Sequence, residues 1–126
     1  MSGFLLDTHT FLWWVDGGAK LKGSTRELIA SPSNMLYLSI ASAWEISIKE
    51  AIGKLSFNTQ FRDALEINEF ALLPIEIQHV ERTKTLPLVH RDPFDRMLVA
   101  QALVEDLTLI TRDPSLARYG VRTEPA

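Results

Sequence analysis

A chain of 126 residues, 46% of them apolar and 23% charged, has the size and balance of a single compact domain over residues 1–126. It contains no cysteine, which excludes disulfides, thiolate nucleophiles and thiolate-held zinc or iron–sulfur centres, so any metal binds through oxygen or imidazole. A net charge of −3 excludes a surface that grips nucleic acid all over, and any such contact has to be local.

Gly3-Phe4-Leu5-Leu6-Asp7 is a short apolar run closed by an acid, and it predicts a buried strand. Residues 8–15, rich in Phe, Leu and Trp and closed by Asp16-Gly17-Gly18, predict a helix. Ser24-Thr25-Arg26-Glu27 has the form of a capping box, in which the serine side chain accepts from a helix N–H and the glutamate reaches back, and a helix to about residue 31 follows. Ser31-Pro32-Ser33-Asn34 reads as a turn. Met35-Leu36-Tyr37-Leu38-Ser39 predicts the second strand. Ser42-Ala43-Trp44-Glu45 is a second capping-box pattern, opening a helix that Gly53 terminates.

Residues 59–69 predict a helix, residues 70–75 a third strand weakened by Pro74, and residues 78–84 a short helix. Asp92 reads as a helix cap with Pro93 at the first helical position, where its missing N–H costs nothing, and that helix runs to about residue 105. Thr108-Leu109-Ile110-Thr111 predicts a further strand, and Asp113-Pro114 starts a last short helix by the same device. Strands alternating with helices imply an α/β fold: a mostly parallel sheet of four to five strands with helices on both faces. No apolar run reaches the length of a membrane span, and the first residues lack a signal-peptide pattern, so the expected location is the cytosol.

Four acids stand out in this pattern: Asp7 closes the first strand, Asp113 follows the last clear one, Glu45 comes one to two turns after the second, and Asp95 starts a helix in the same layer. Each has a local explanation, since an acid at a helix N-terminus satisfies free N–H groups and opposes the dipole. Together they can lie at one edge of the sheet, where open α/β sheets bind ligands. Clustered, partly buried carboxylates repel one another unless a cation sits among them. Oxygen donors without thiolates or a clear histidine pair favour Mg²⁺ or Mn²⁺, ions suited to phosphodiester cleavage.

Four segments carry a resemblance to a known family. They are Leu6-Asp7-Thr8-His9, the stretch from Ser39 through Ser42-Ala43-Trp44-Glu45-Ile46 to Lys49, His90-Arg91-Asp92-Pro93-Phe94-Asp95-Arg96-Met97-Leu98-Val99-Ala100-Gln101-Ala102, and Leu109-Ile110-Thr111-Arg112-Asp113. They resemble, in order and spacing, the motifs of PIN-domain nucleases of the VapC toxin type. The resemblance implies a metal-dependent endoribonuclease acting on RNA, a homodimer inhibited by a small antitoxin protein. Carried over by position, Asp7 and Asp95 match the main metal ligands, Glu45 the second acid and Asp113 the more variable fourth. Thr111 matches a supporting polar residue, and Arg96 and Arg112 are candidates for substrate contact. Asp92, three residues before Asp95, is assigned to the helix cap.

Other features leave two readings open. Trp13, Trp14 and Trp44 offer base stacking, although adjacent aromatics on a short helix more often fill a core or a subunit contact. Phe11, Leu12, Trp13 and Trp14 together present either a core or a docking surface for an antitoxin segment. Lys49 either pairs with Glu45 across a helix turn or reaches toward phosphate. His9 is near the site, whereas His79 and His90 read as packing or surface residues. Two rival functions are an interaction module that keeps this fold without catalysis, and an α/β phosphatase of the haloacid dehalogenase type. The phosphatase needs an aspartate where position 9 is His.

Overall fold

The sheet has five strands: β1 (Gly3–Leu6), β2 (Met35–Ser39), β3 (Ala71–Leu73), β4 (Thr108–Thr111) and β5 (Thr123–Pro125). Between them lie α1 (Thr8–Val15), α2 (Gly23–Ala30), α3 (Ile40–Ala51), α4 (Phe61–Asn68), α5 (Ile77–Lys84) and α6 (Pro93–Glu105), with a 3-10 helix over Pro114–Tyr119. The structure is a computed structural model that describes residues 3–89 and 91–126, and His90 lies outside the described residues.

All pairings are parallel, in the order β3-β2-β1-β4-β5. Leu6 stands level with Leu38 on one side and Ile110 on the other, and these three face one core with Phe11 and Ile46. Leu5 stands level with Tyr37 and Leu109 and faces the opposite core, with Leu98, Val99 and Leu116. The alternation along each strand therefore builds two apolar layers, one for each set of helices. The chain goes from β1 to β2 on one side and returns to β4 on the other. The crevice between β1 and β4 at their carboxyl ends is thus the switch point where such sheets hold ligands.

Several local expectations are corrected. Ser42-x-x-Glu45 does not open α3: Ser39 is the cap, its hydroxyl accepting from the Ala41 N–H at 2.9 Å. The strand passes straight into the helix, so Ser42 falls in the first turn and Glu45 in the second. Nor does Ser24 cap α2, which starts at Gly23 with Lys22 in the cap position and no side-chain cap bond. The third strand is shorter than expected and stops before Pro74, which lacks the N–H a ladder needs. The fifth strand brings the sheet to the upper end of the four to five expected, but at a place where none was read, because Thr-Glu-Pro has no strand pattern of its own. It is held by pairing with β4 and by the Thr25 hydroxyl, which donates to the Pro125 carbonyl at 2.6 Å.

Other signals hold. Gly53, at φ 75°, follows α3 and lets its own N–H reach the Glu50 carbonyl while Lys54 N–H reaches Lys49. This is the Schellman ending that glycine favours. The aromatic helix α1 resolves toward a core: Phe11 is fully buried, Leu12, Trp13 and Trp14 pack against the same layer, and Trp14 Nε1 donates to Asn68 Oδ1 at 2.9 Å. His79 is buried as well. Its Nδ1 accepts from the Glu76 N–H at 3.0 Å, which leaves Nε2 to donate to Glu105 at 2.7 Å and tie α5 to α6. Among the described residues no helix is long and apolar enough to cross a membrane.

Candidate metal centre

Three chain segments that turn from strand to helix at the carboxyl edge of the sheet, and the start of α6, which follows α5, each bring an acid. Asp7 follows β1 and caps α1, its Oδ1 accepting from the Thr10 N–H at 2.8 Å, while its own N–H donates to the Ile110 carbonyl at 3.1 Å. Asp113 follows β4 and caps the 3-10 helix, its Oδ1 accepting from Ser115 N–H at 2.9 Å and from the Ser115 hydroxyl at 2.7 Å. Asp95 stands in the first turn of α6. Glu45 comes one turn deeper, on α3. All four line a single cleft with Thr111, Arg112 and Asp92.

The acids differ in surroundings. Asp7 and Glu45 are buried, Asp95 and Asp113 half-buried. Glu45 is held from two sides: the Thr8 hydroxyl donates to Oε1 at 2.7 Å and Lys49 Nζ lies 2.8 Å from Oε2. Thr8 Oγ1 also lies 3.0 Å from the buried Ser42 hydroxyl, so α1 and α3 are fastened at the carboxylate itself. Thr8 belongs to the first motif, yet nothing in that motif gives it a role. The signal available in the sequence is a hydroxyl residue directly after a strand-ending acid. Lys49 adopts the helix-turn pairing with Glu45 and remains partly exposed on the cleft wall.

Asp92 Oδ1 accepts from the N–H groups of Phe94 at 2.8 Å and Asp95 at 3.3 Å, the bonds of a helix cap. The assignment of Asp92 to the cap fits this geometry, although its side chain also borders the cleft. Thr111 is buried and its Oγ1 accepts from the Asp113 N–H at 3.1 Å, fixing the turn that carries that acid. Arg112 lies over the Trp13 ring, 4.1 Å from its centre, and donates to the Lys20 carbonyl. Arg96 is elsewhere. It donates to the carbonyls of Thr83 at 2.8 Å and Pro87 at 3.0 Å, where it fastens α6 to the end of α5, outside the residues that line the cleft.

The donor set determines which ion fits. Five carboxylates, two threonines and His9 line the cleft with no sulfur, and a set dominated by oxygen suits a hard cation. Among the described residues no group of three or more His, Cys, Asp or Glu side chains is placed to hold a metal ion together. The arrangement agrees with an ion held through one or two carboxylates that keeps several waters, as Mg²⁺ does. Asp7, whose Oδ1 accepts from the Thr10 N–H, has capacity for this, because a carboxylate carries two oxygens and about four acceptor positions.

No curated protein sequence matches this chain. Among solved structures it is similar to VapBC2 from Rickettsia felis bound to a DNA fragment from their promoter, at 16% identity, TM-score 0.74 and coverage of 98% of both chains. It is also similar to DNA-bound VapBC from Salmonella typhimurium (18% identity, TM-score 0.65, 99% and 98% covered) and to VapBC-1 from nontypeable Haemophilus influenzae (16%, 0.62, 98% and 97%). At these identities the likeness establishes the fold. The model of the PIN domain family matches residues 4–122, nearly the whole chain, and the chain belongs to the PIN domain family.

Proposed function

We propose that this chain is a Mg²⁺- or Mn²⁺-dependent endoribonuclease that hydrolyses RNA phosphodiester bonds in the cytosol, and that it is the toxin of a toxin–antitoxin pair. The observation that carries the reading is the cleft at the β1–β4 switch point lined by Asp7, Glu45, Asp95 and Asp113. Its likeness in fold to chains of VapBC complexes supports the toxin assignment and an antitoxin partner.

In this reading Asp7 and Asp95 are the main holders of the ion, with Glu45 and Asp113 completing the acidic wall. The bound ion supplies the charge that eases deprotonation of an attacking water and offsets negative charge on the phosphate oxygens. Thr8 and Lys49 fix the Glu45 carboxylate in one orientation, and Thr111 does the same for the turn bearing Asp113. Arg112, braced by Trp13, provides a cation facing the same cleft for a phosphate oxygen. No side chain in the cleft has to become covalently attached to substrate.

Assembly as a homodimer belongs to the same proposal. It is supported by an exposed apolar stripe along α3 and its C-terminal cap, where Ile40, Trp44, Ile48 and the capping Ile52 recur every fourth residue and Trp44 is 61% exposed. Trp44→Glu should then yield monomer in light scattering. The function itself is tested by incubating the purified protein with labelled RNA and Mg²⁺ or Mn²⁺, then with EDTA, beside an Asp7→Asn variant. Cleavage is expected only with metal and intact Asp7, and metal-independent cleavage would falsify the proposal.

A further inference from the structure

The acidic cleft does not end at its own rim. A second depression begins where it stops, bounded by α1 on one side and by the segment between α3 and α4 on the other, and the two share Thr8, His9, Trp13 and Lys49. The charge changes sign along the way. The cleft is lined by five carboxylates against Lys49 and Arg112, whereas the adjoining groove is lined by Lys20, Lys49 and Lys54 against one acid, Asp16. Lys20 and Lys54 are both exposed, so their ammonium groups are available to a ligand. Apolar surface from Leu12 and Phe57 forms part of the same wall.

We infer that this groove carries the single-stranded RNA segment next to the scissile phosphate, a reading that rests on the nuclease function proposed above. A protein of net charge −3 has few places where a polyanion is welcome, and here three lysines are concentrated in a trough continuous with the acids. The scissile phosphate needs the ion to offset the carboxylates, while its neighbours along the strand meet lysines directly. The apolar wall accepts the face or edge of an unpaired base, which a duplex keeps stacked inside. A single strand suits the groove for that reason. The Lys20 main chain takes part as well, since its carbonyl anchors Arg112 at the junction of groove and cleft.

The test uses a fluorescent single-stranded oligoribonucleotide and the full chain carrying Asp7→Asn, so that binding is read without cleavage. Adding Lys20→Ala and Lys54→Ala is expected to raise Kd about tenfold and to flatten the dependence of log K on log salt by about 1.4, or about 0.7 for each phosphate that a lysine no longer neutralises. With Asp7 intact, the same two alanines should raise KM and leave kcat unchanged. An unaltered Kd and salt slope overturns the inference, whether or not the wild type cuts RNA. Loss of affinity for a co-expressed partner protein with RNA binding intact overturns it too, assigning the groove to that partner. If the lysine variants lose RNA binding as expected but the wild type cuts no RNA with either metal, the groove stands and the nuclease reading falls.

Discussion

Arg112 lies over the Trp13 indole, its guanidinium carbon 4.1 Å from the ring centre, and donates to the Lys20 carbonyl at the edge of the acidic cleft. A long exposed side chain is normally spread over many rotamers, and these two contacts hold it beside the acids. Arg112→Ala is therefore expected to lower kcat/KM for RNA by about tenfold, the scale of one charged hydrogen bond to phosphate. Trp13→Ala should cost less, because a cation–π contact contributes about 0.5–2 kcal/mol, and Trp13→Phe should retain most activity. Arg112→Lys should behave like the alanine variant, since an ammonium neither stacks nor spans two acceptors. Steady-state kinetics on one oligonucleotide across the four variants gives the order.

Asparagine substitutions separate the two duties of the aspartates. Asparagine caps helices about as well as aspartate but carries no charge, so Asp7→Asn and Asp113→Asn should fold with stability changed by less than about 1 kcal/mol. Asp7→Asn and Asp95→Asn should nevertheless lose about a hundredfold or more in kcat, as removal of charge at a catalytic site does. Asp92→Asn should stay active, because Asp92 caps α6. Urea melts beside cleavage rates decide the matter, and full activity in Asp95→Asn with loss in Asp92→Asn would exchange the two assignments.

Thr8 reaches across 37 positions of sequence to orient Glu45 from α1. Thr8→Val keeps the shape and removes the donor, which leaves a buried carboxylate oxygen without its partner. The Mg²⁺ concentration for half-maximal cleavage should rise by about ten- to a hundredfold, the usual cost of deleting a group that orients a metal-holding residue. Thr8→Ser should restore it. A valine variant with unchanged metal dependence would reduce Thr8 to a packing residue.

Metal binding should also register in stability. An ion that binds only the folded chain adds about 2.7 kcal/mol at a hundredfold excess over Kd, so Mg²⁺ or Mn²⁺ should raise Tm by several degrees. EDTA should reverse the rise without unfolding the protein, because both apolar cores are complete without the ion. Asp7→Asn should abolish the shift. Calorimetry in matched ionic strength separates this from general screening.

The elements that are legible in the sequence are those whose cause is local. Asp92-Pro93 and Asp113-Pro114 announce helix starts because cap and proline act within four residues, and both form as expected. Gly53 announces a helix end because only a left-handed backbone closes it there. Where a local rule meets a competing neighbour it fails. Ser42 looks like a cap, but Ser39, at the very end of β2, takes that role and moves Glu45 from the first turn of α3 into the second. Pro74 ends β3 early, and β5 has no pattern to read because its stability comes from β4 and Thr25 rather than from its own side chains.

The sequence by itself therefore determined the alternation of strands and helices, the acids at their junctions and the absence of sulfur chemistry, since each follows from residue type and close spacing. Only the tertiary structure decided that Asp7, Glu45, Asp95 and Asp113 share one cleft, that Arg112 joins them while Arg96 is drawn off to Thr83 and Pro87, and that a basic groove continues from the acids. Those relationships depend on the parallel register of β1 with β2 and β4 and on how α1, α3 and α6 pack around it. Burial against distant residues sets that packing, and no short stretch of sequence contains it.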